Sequence, residues 1–482
     1  MKLAVVVQRY GPAINGGAEL HARFIAEHLA RHAEVEVLTT CASDYVTWRN
    51  ELSAGVDRVN GVAVRRFPVK HERNPIEFGK RSEHVFEAPH SIGDELDWLD
   101  AEGPCSPALI DYISKHATSF DYFLFFSYRY YHSYHGARAA GPRAVLVPTA
   151  ERDSAVGLSI FAPIFKGVRA LMYNSPEERA MIQTLSGNQD VPGVVVGIGS
   201  DVPQNPQPGR FRQKFDIRGP FAIYVGRVDE NKGCPELFDF FQTYARDIAG
   251  RLSLVLVGNS LLPIPKHSRI HHLGFLDDGD KFDAMAASDL LIMPSYFESL
   301  SMVALEAWAL GKPVLANGKC DVLKGQCIRS NAGLYYEGPS EFAETLSAIE
   351  RNRWLSASLG RNGRQFYREH YEWPVIERKY LEMFQGLSKE PGGRAVAPLP
   401  GWLDRRKQEC PPGAAVLATL PTGPVVRLEP SPSTPQPTPP PPSPLPAAVG
   451  PSESHRGGSR AHPSRGHRRF RQSGGSSRTG GA

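Results

Sequence analysis

Two carboxylates, Glu298 and Glu306, lie eight residues apart in a stretch that follows the predicted strand Leu290–Met293. The pattern places Glu298 in the turn after the strand and predicts that Ser299–Ser301 open a helix. Backbone N–H groups at a helix start lack partners within the helix, so they favour a diphosphate. Glu306 lies further along this largely apolar helix, where a carboxylate needs a partner such as a ribose diol. Glu298 could accept sugar hydroxyls; alternatively, Glu298 caps the helix and Glu306 is solvated.

A second set of charged residues follows the predicted strand Phe221–Val225. Arg227 can donate two hydrogen bonds to a phosphate, and Lys232 adds a compact positive charge. Gly226 and Gly233 allow the backbone of the loop to approach a ligand closely. These residues predict a phosphate-binding loop, and the alternative is a surface loop with ordinary charges.

A pair of glycines, Gly16 and Gly17, follows the first predicted strand and precedes a stretch with helical periodicity, Ala18–Ala30. Adjacent glycines in such a turn give a second place where the backbone can approach a phosphate. The loop is neither G-x-G-x-x-G nor a Walker sequence, which weakens the interpretation as a dehydrogenase or a nucleotide hydrolase.

These loops must be positioned by short apolar strands that alternate with helices. The predicted strands are Leu3–Val7, Val35–Thr39, Val62–Phe67, Phe123–Phe126, Ala144–Val147 and Ala170–Tyr173, then Phe221–Val225, Leu254–Val257, Leu290–Met293, Pro313–Ala316 and Leu334–Tyr336. Nearly continuous apolar runs of this kind predict parallel sheets covered on both faces. The series restarts after the Pro-rich link Val202–Gly209, which indicates two α/β domains. Because ligands bind at the carboxyl ends of such strands, two facing domains would enclose one cleft.

Composition supports a globular chain with a different C-terminal segment. The hydrophobic fraction is 41%, the charged fraction is 22%, and the net charge is +4. Residues 391–482 hold 12 Lys and Arg against 4 Asp and Glu, so the positive charge belongs to this Pro-, Gly- and Ser-rich segment. Such a segment buries too little apolar area to fold, and we expect it to be disordered. The six cysteines are widely spaced, which predicts reduced thiols in a cytoplasmic protein.

Together these residues resemble glycosyltransferase family 4, whose fold is GT-B, over nearly all of residues 1–387. The segment from Glu298 to Glu306 looks like the E-x7-E motif of that family. Arg227 and Lys232 match its Gly-Arg…Lys-Gly phosphate clamp, and the Gly16–Gly17 pair matches its N-terminal glycine loop.

The resemblance implies an α/β protein of two Rossmann-like domains facing across a cleft. Residues 1–200 would form the acceptor-side domain and residues 201–370 the nucleotide-sugar-binding domain. Residues 371–390 would form a helix, beginning near Trp373, that crosses back to the first domain. Residues 391–482 would be the disordered tail.

The resemblance further implies a retaining, metal-independent glycosyltransferase. It would transfer a sugar from a nucleotide-diphosphate donor to a carbohydrate, lipid-linked or small-molecule acceptor. Arg227 and Lys232 would neutralise the leaving diphosphate, with Glu298 on the donor sugar and Glu306 on the ribose. The remaining donor contacts would come from Gly16, Gly17 and the amides of Leu300 and Ser301. No cofactor or metal is implied, because Arg and Lys supply the positive charge.

One region departs from the family pattern. Relatives carry a histidine in the first domain near the reacting sugar, and here the nearest one, His132, is offset by several residues. We interpret His132 as a surface histidine and keep a cleft role as the alternative. Glu151, Arg152 and Asp153 follow the next strand, where relatives often show His-Asp, and we expect them to line the cleft.

Several alternatives remain at this point. A sugar phosphorylase, a sugar-nucleotide epimerase or a non-catalytic sugar-nucleotide-binding scaffold would suit the same fold. Asp278-Gly-Asp280 reads as a helix cap rather than a metal site. Ser159–Leu171 is weakly amphipathic, so peripheral contact with the inner face of a membrane is an alternative to a core segment. We expect no nucleic-acid partner.

Overall fold

The first sheet contains eight strands, and those at its centre are apolar because both of their faces are buried. The computed structural model describes residues 1–14, 16–248, 250–390, 393–400 and 413–420. The strands are β1 (Lys2–Val6), β2 (Glu34–Thr40), β3 (Gly55–Val59), β4 (Val62–Phe67), β5 (Tyr122–Phe126), β6 (Ala144–Val147), β7 (Ala170–Tyr173) and β8 (Gly193–Val195). Their order is β3-β4-β2-β1-β5-β6-β7-β8; β3 pairs antiparallel with β4, and the other described pairs are parallel.

Helices cover this sheet. They are α1 (Gly17–Leu29), α2 (Pro75–Glu87), α3 (Ile92–Glu102), α4 (Pro107–Lys115), α5 (Tyr131–Ala140), α6 (Ala162–Gly167) and α7 (Pro176–Ser186). Every residue of β6 and of β7 is buried, as expected for central strands between two helix layers. The loops that follow β1, β2, β5, β6 and β7 consequently lie at one edge of the sheet.

The second sheet contains six parallel strands in the order β11-β10-β9-β12-β13-β14. The strands are β9 (Phe221–Val225), β10 (Ser253–Val257), β11 (Ile270–His272), β12 (Leu290–Met293), β13 (Val314–Asn317) and β14 (Gly333–Tyr336). The helices are α8 (Pro208–Phe215), α9 (Cys234–Asp247), α10 (Asp278–Ala287), α11 (Met302–Ala309), α12 (Asp321–Ser330), α13 (Pro339–Arg351) and α14 (Arg353–His370). The loops after β9 and β12, which carry the predicted phosphate-binding residues, lie at the carboxyl ends of neighbouring strands.

The predicted strands are confirmed to within one residue at each end. Three further strands were not predicted. β8 and β11 are three residues long, and β3 is mostly exposed, so these segments lack an apolar run. The turn between β3 and β4 is Asn60-Gly61, with φ of +47° and +85°, and this Asn-Gly pair is a recognised hairpin signal.

A long C-terminal helix, α15 (Trp373–Lys389), packs on helix α1 of the first domain. The Trp373 ring stacks on His28 with centroids 3.5 Å apart. Glu377 accepts a hydrogen bond from His28 at 2.8 Å. Helix α14 belongs to the second domain, so the chain crosses between the domains at Tyr371.

Residues 393–400 pack on the first domain, which corrects the predicted start of the disordered tail at residue 391. Val396 is buried and lies against Gly167, and Arg138 donates a hydrogen bond to the carbonyl of Ala397 at 3.1 Å. Helix α16 (Gly413–Ala418) belongs to a separate unit. The prediction for residues 401–412 and 421–482 lies outside the described residues.

The amphipathic stretch Ser159–Leu171 contributes to the core of the first domain. Phe161, Ile164 and Phe165 are buried in the hydrophobic core of this domain, which confirms the interpretation as a core segment. Among the helices that the structure describes, each is too short or too polar to cross a bilayer.

Candidate functional site

Lys232 and Glu298 form the centre of the site. Lys232 Nζ lies 2.8 Å from Glu298 Oε1, and the two side chains are 33% and 11% exposed. The loop of Lys232 fits closely on the end of β12 because Gly233 has φ of +71° and a Cβ there would lie 2.2 Å from the Pro294 carbonyl oxygen. Glycine at 233 is therefore required to bring the charged loop beside the turn that carries Glu298.

Arg227 shares a carboxylate with the Lys232 loop. Its guanidinium donates a short hydrogen bond to Asp229 Oδ2, while Asp229 Oδ1 accepts the Lys232 backbone N–H at 2.8 Å. The Arg227 side chain is 54% exposed, so it is available to an anion that competes with Asp229. Asp229 was not among the predicted residues. It lies between Arg227 and Lys232 in the sequence, which could have identified it as a partner for their positive charges.

Helix α11 begins at Met302, one residue after the end of the predicted opening segment. Ser301 caps the helix by accepting the Ala304 N–H at 3.2 Å. Within the described ranges, no protein acceptor takes the backbone N–H of Leu300 or Ser301. These two amides, at the positive end of the helix dipole, are suited to an anion.

Glu306 is buried and already has two partners. Its side chain is 4% exposed, and its Oε1 accepts hydrogen bonds from the Ser200 hydroxyl at 2.9 Å and from Lys281 Nζ at 3.2 Å. Burial lowers the pKa of Lys281, but the Glu306 and Asp278 carboxylates outweigh burial and leave that pKa raised. Glu306 thus contacts Ser200 in the segment that links the two domains.

The glycine loop of the first domain leaves Gly17 facing open space. No atom would lie within 4 Å of a Cβ at Gly17, whereas a Cβ at Gly16 would meet the Glu19 carboxylate at 2.2 Å. Glu19 is itself held by Arg9 at 2.6 Å. The ion pair fixes the loop, and the exposed backbone of Gly17 can approach a ligand.

Glu151 belongs to the first domain but shares the electrostatic field of the Lys232–Glu298 pair. Burial, then repulsion by Glu298, raises the pKa of Glu151 to about 7, and Lys232 opposes this rise. Burial lowers the pKa of Lys232, while Glu298 and Glu151 raise it above its ordinary value. Charged side chains of the two domains therefore influence one another at this site.

The two residues after Glu151 have different partners. Arg152 reaches across to the second domain, with its guanidinium 3.0 Å from Asp321 Oδ2. Asp153 stays within the first domain, where it pairs with Arg129 at 2.8 Å and accepts from the Tyr128 hydroxyl at 3.2 Å.

His132 is buried, which corrects its interpretation as a surface histidine. It lies on α5 beneath the end of β5, where its Nε2 is 3.1 Å from the Phe126 carbonyl oxygen. Burial lowers the pKa of His132 to about 4, so the ring is neutral at pH 7. The sequence signal for the burial of His132 was the apolar strand β5, which ends at Phe126.

The Asp278-Gly-Asp280 segment opens helix α10, but neither aspartate is the capping residue. Asp277 accepts the Asp280 N–H at 2.8 Å, and Asp280 pairs with Lys214 at 2.5 Å. In the part of the chain that the structure describes, no group of three or more His, Cys, Asp or Glu side chains is arranged to hold a metal ion.

A cavity of about 60 Å³ lies between the two domains beside Glu298. Its walls come from both domains and include Ala150, Glu178, Cys320 and Val322. Ligand pockets usually measure roughly 300–1,000 Å³, so this cavity is too small for a nucleotide sugar. A donor could approach Glu298 from this side only if the domains moved apart.

Comparisons with known proteins agree with this architecture. A family model described as glycosyl transferases group 1 matches residues 209–366. The chain is 24% identical over 206 residues to mannosylfructose-phosphate synthase of Agrobacterium fabrum, and this match covers 38% of the chain and 44% of that protein. The chain thus spans about half the length of this curated relative.

Two solved structures resemble the whole fold. Sucrose-phosphate synthase from Thermosynechococcus elongatus superposes with a TM-score of 0.60 at 17% identity, covering 80% of this chain and 99% of that one. HepE from Anabaena in complex with UDP-glucose superposes with a TM-score of 0.58 at 17% identity, covering 80% and 100%. The chain therefore has the GT-B fold, and its residues 209–366 match the model of group 1 glycosyl transferases.

Proposed function

We propose that this chain is a retaining, metal-independent glycosyltransferase of family 4 that transfers a sugar from a nucleotide-diphosphate donor. The observation that carries the proposal is the Lys232–Glu298 pair, which lies at the start of helix α11 and faces Glu151 of the other domain. The complex of HepE with UDP-glucose, on the same fold, supports a nucleotide sugar as donor.

The diphosphate would bind between the Arg227–Lys232 loop and the amides of Leu300 and Ser301. Arg227 would exchange Asp229 for a phosphate, because its exposed guanidinium can donate two hydrogen bonds. As the bond to the sugar breaks, negative charge develops on the leaving diphosphate. Preorganised cations and amides stabilise that charge without a metal ion.

The sugar would lie between the two domains. Glu298 would accept hydrogen bonds from its hydroxyl groups, and Glu151 would accept them or, when protonated, donate one. Lys232 would reduce the repulsion between the two carboxyl groups. Glu306 would hold the ribose after its hydroxyls replace that of Ser200. The exposed backbone of Gly17 would approach the diphosphate from the first domain. The acceptor would be a carbohydrate, a lipid-linked saccharide or a small molecule.

The test is nucleotide release from UDP-glucose and from GDP-mannose, with and without mono- and disaccharide acceptors. We expect release that depends on acceptor, survives EDTA and gives a product with the donor's anomeric configuration by ¹H NMR. Strict dependence on inorganic phosphate would identify a phosphorylase, and rapid release without any acceptor would identify an epimerase. Binding of the donor without any turnover would identify a non-catalytic binder.

A further inference from the structure

Glu178 is a buried carboxylate that contacts the ends of two neighbouring strands. Its side chain is 1% exposed. Its Oε1 accepts the backbone N–H of Ala150 and its Oε2 accepts that of Asn174, each at 2.5 Å. Ala150 follows β6 and Asn174 follows β7. One side chain on α7 thus ties together the carboxyl ends of both strands.

Two side chains at these strand ends, those of Glu151 and Asn174, interact with the second domain. Glu151 directly follows Ala150 and interacts with Glu298 and Lys232. Asn174 is 2% exposed, and its Nδ2 donates to Ser299 Oγ at 3.3 Å. Within the described residues, Asn174 Oδ1 is buried and accepts no hydrogen bond. The two residues therefore face the segment 298–301, which we call the donor turn.

The backbone before Glu151 is held in an unfavourable conformation. Thr149 has φ of +48°, a value that residues with a Cβ rarely adopt. Such a conformation persists only where the surroundings fix it. Glu178 binds the next amide, that of Ala150, and the Tyr128 N–H donates to the Pro148 carbonyl at 3.0 Å. Glu178 therefore helps to fix this turn and hence the direction in which Glu151 leaves the strand.

We propose that Glu178 is a positioning residue for glycosyl transfer, since its two hydrogen bonds set where Glu151 and Asn174 stand against the donor turn. This inference rests on the proposed function. A carboxyl group with two oxygens is required because each oxygen accepts an N–H, and burial raises the pKa of this group to about 8. A glutamine would offer one acceptor and turn an NH₂ group toward the other backbone N–H.

The experiment compares Glu178→Gln with the wild type, measuring kcat and KM for UDP release from UDP-glucose. A displacement of reacting groups on the order of 1 Å lowers turnover by up to about 100-fold, so we expect kcat to fall at least about tenfold. Glu350→Gln is the matched control. Glu350 also accepts a backbone N–H, that of Arg251 at 2.8 Å, but it lies on α13 outside the cleft. This control should keep the wild-type kcat.

A mutant cycle separates positioning from a general loss of fold. If Glu178 acts through Glu151 and Asn174, adding Glu178→Gln to the variant that carries both Glu151→Gln and Asn174→Ala should lower kcat no further. Losses in kcat that multiply would overturn the proposal, as would a Glu178→Gln enzyme whose kcat stays within about twofold of the wild type.

If Glu178→Gln fails to fold, Asn174→Ala carries the test, because it keeps both backbone hydrogen bonds and removes the contact with Ser299. We expect Asn174→Ala to raise the KM for UDP-glucose or lower kcat by about tenfold. Unchanged constants would refute the inference while leaving the proposed function intact. Absence of turnover in the wild type with every donor would refute both.

Discussion

Replacing Lys232 with alanine tests the electrostatic basis of the site. The substitution leaves Glu298, which is 11% exposed, facing the carboxyl group of Glu151 without the cation that separates them. Lys232 lowers the pKa of Glu151, so its removal should raise that pKa above about 7. The site would then hold one fewer positive charge and one more proton.

The size of the effect follows from burial. Truncating one partner of a buried, hydrogen-bonded ion pair costs about 2–5 kcal/mol. Because a third of the Lys232 side chain is exposed, we take the lower end of this range. About 2 kcal/mol corresponds to a fall in kcat/KM of roughly 30-fold.

The assay is the initial rate of nucleotide release over a range of donor concentrations, with Lys324→Ala as the matched control. Lys324 Nζ lies 2.8 Å from Glu337 Oε1, the same length as the Lys232–Glu298 pair, but the side chains are 34% and 54% exposed and lie on the surface. We expect this control to leave kcat/KM unchanged. Equal effects of the two substitutions would refute the reasoning, because burial and position would then have no influence.

Three further predictions follow from the same geometry. The raised pKa of Glu151 predicts that, from pH 4.5 to about 7, the free energy of unfolding of the wild type falls relative to that of Glu151→Gln; parallel urea curves across this range would contradict it. Gly233→Ala should lower the free energy of unfolding by more than ~1 kcal/mol and weaken donor binding, whereas Gly386→Ala, with no atom within 4 Å of the new Cβ, should do neither in thermal unfolding and calorimetry. Glu306→Ala should abolish most donor binding by removing the proposed contact with the ribose, while Lys281 keeps Asp278 as a partner at 3.1 Å; unchanged affinity for UDP would exclude a ribose contact.

The fold was predictable because its central strands are apolar on both faces. β6, β9 and β12 each coincide with an uninterrupted apolar run, and the helix that follows β12 begins at a serine cap. The loops at the carboxyl ends of these strands could then be identified from glycines and charges. The short strands β8 and β11 left no comparable pattern, since three residues are too few to show a period.

The first-domain wall of the site was less predictable, because it depends on contacts between distant residues. Glu178 lies three residues after Ser175, and this pattern identifies a helix start. The same carboxylate, however, binds the amide of Ala150, 28 residues earlier in the chain. His132 is a second example. It follows strand β5 in the sequence and looks like a surface residue, but it is buried beside the end of that strand. Periodicity reports which face of an element is buried, but it does not report which element covers it.

The chain passes between the domains twice, and the two passages touch. A Cβ at Gly197 would lie 2.6 Å from the Tyr371 ring, and one at Gly199 would lie 2.6 Å from Trp373. Two segments of the chain that touch at a domain boundary can act as a single hinge. Rotation of one domain against the other about this hinge would break the ion pair between Arg152 and Asp321.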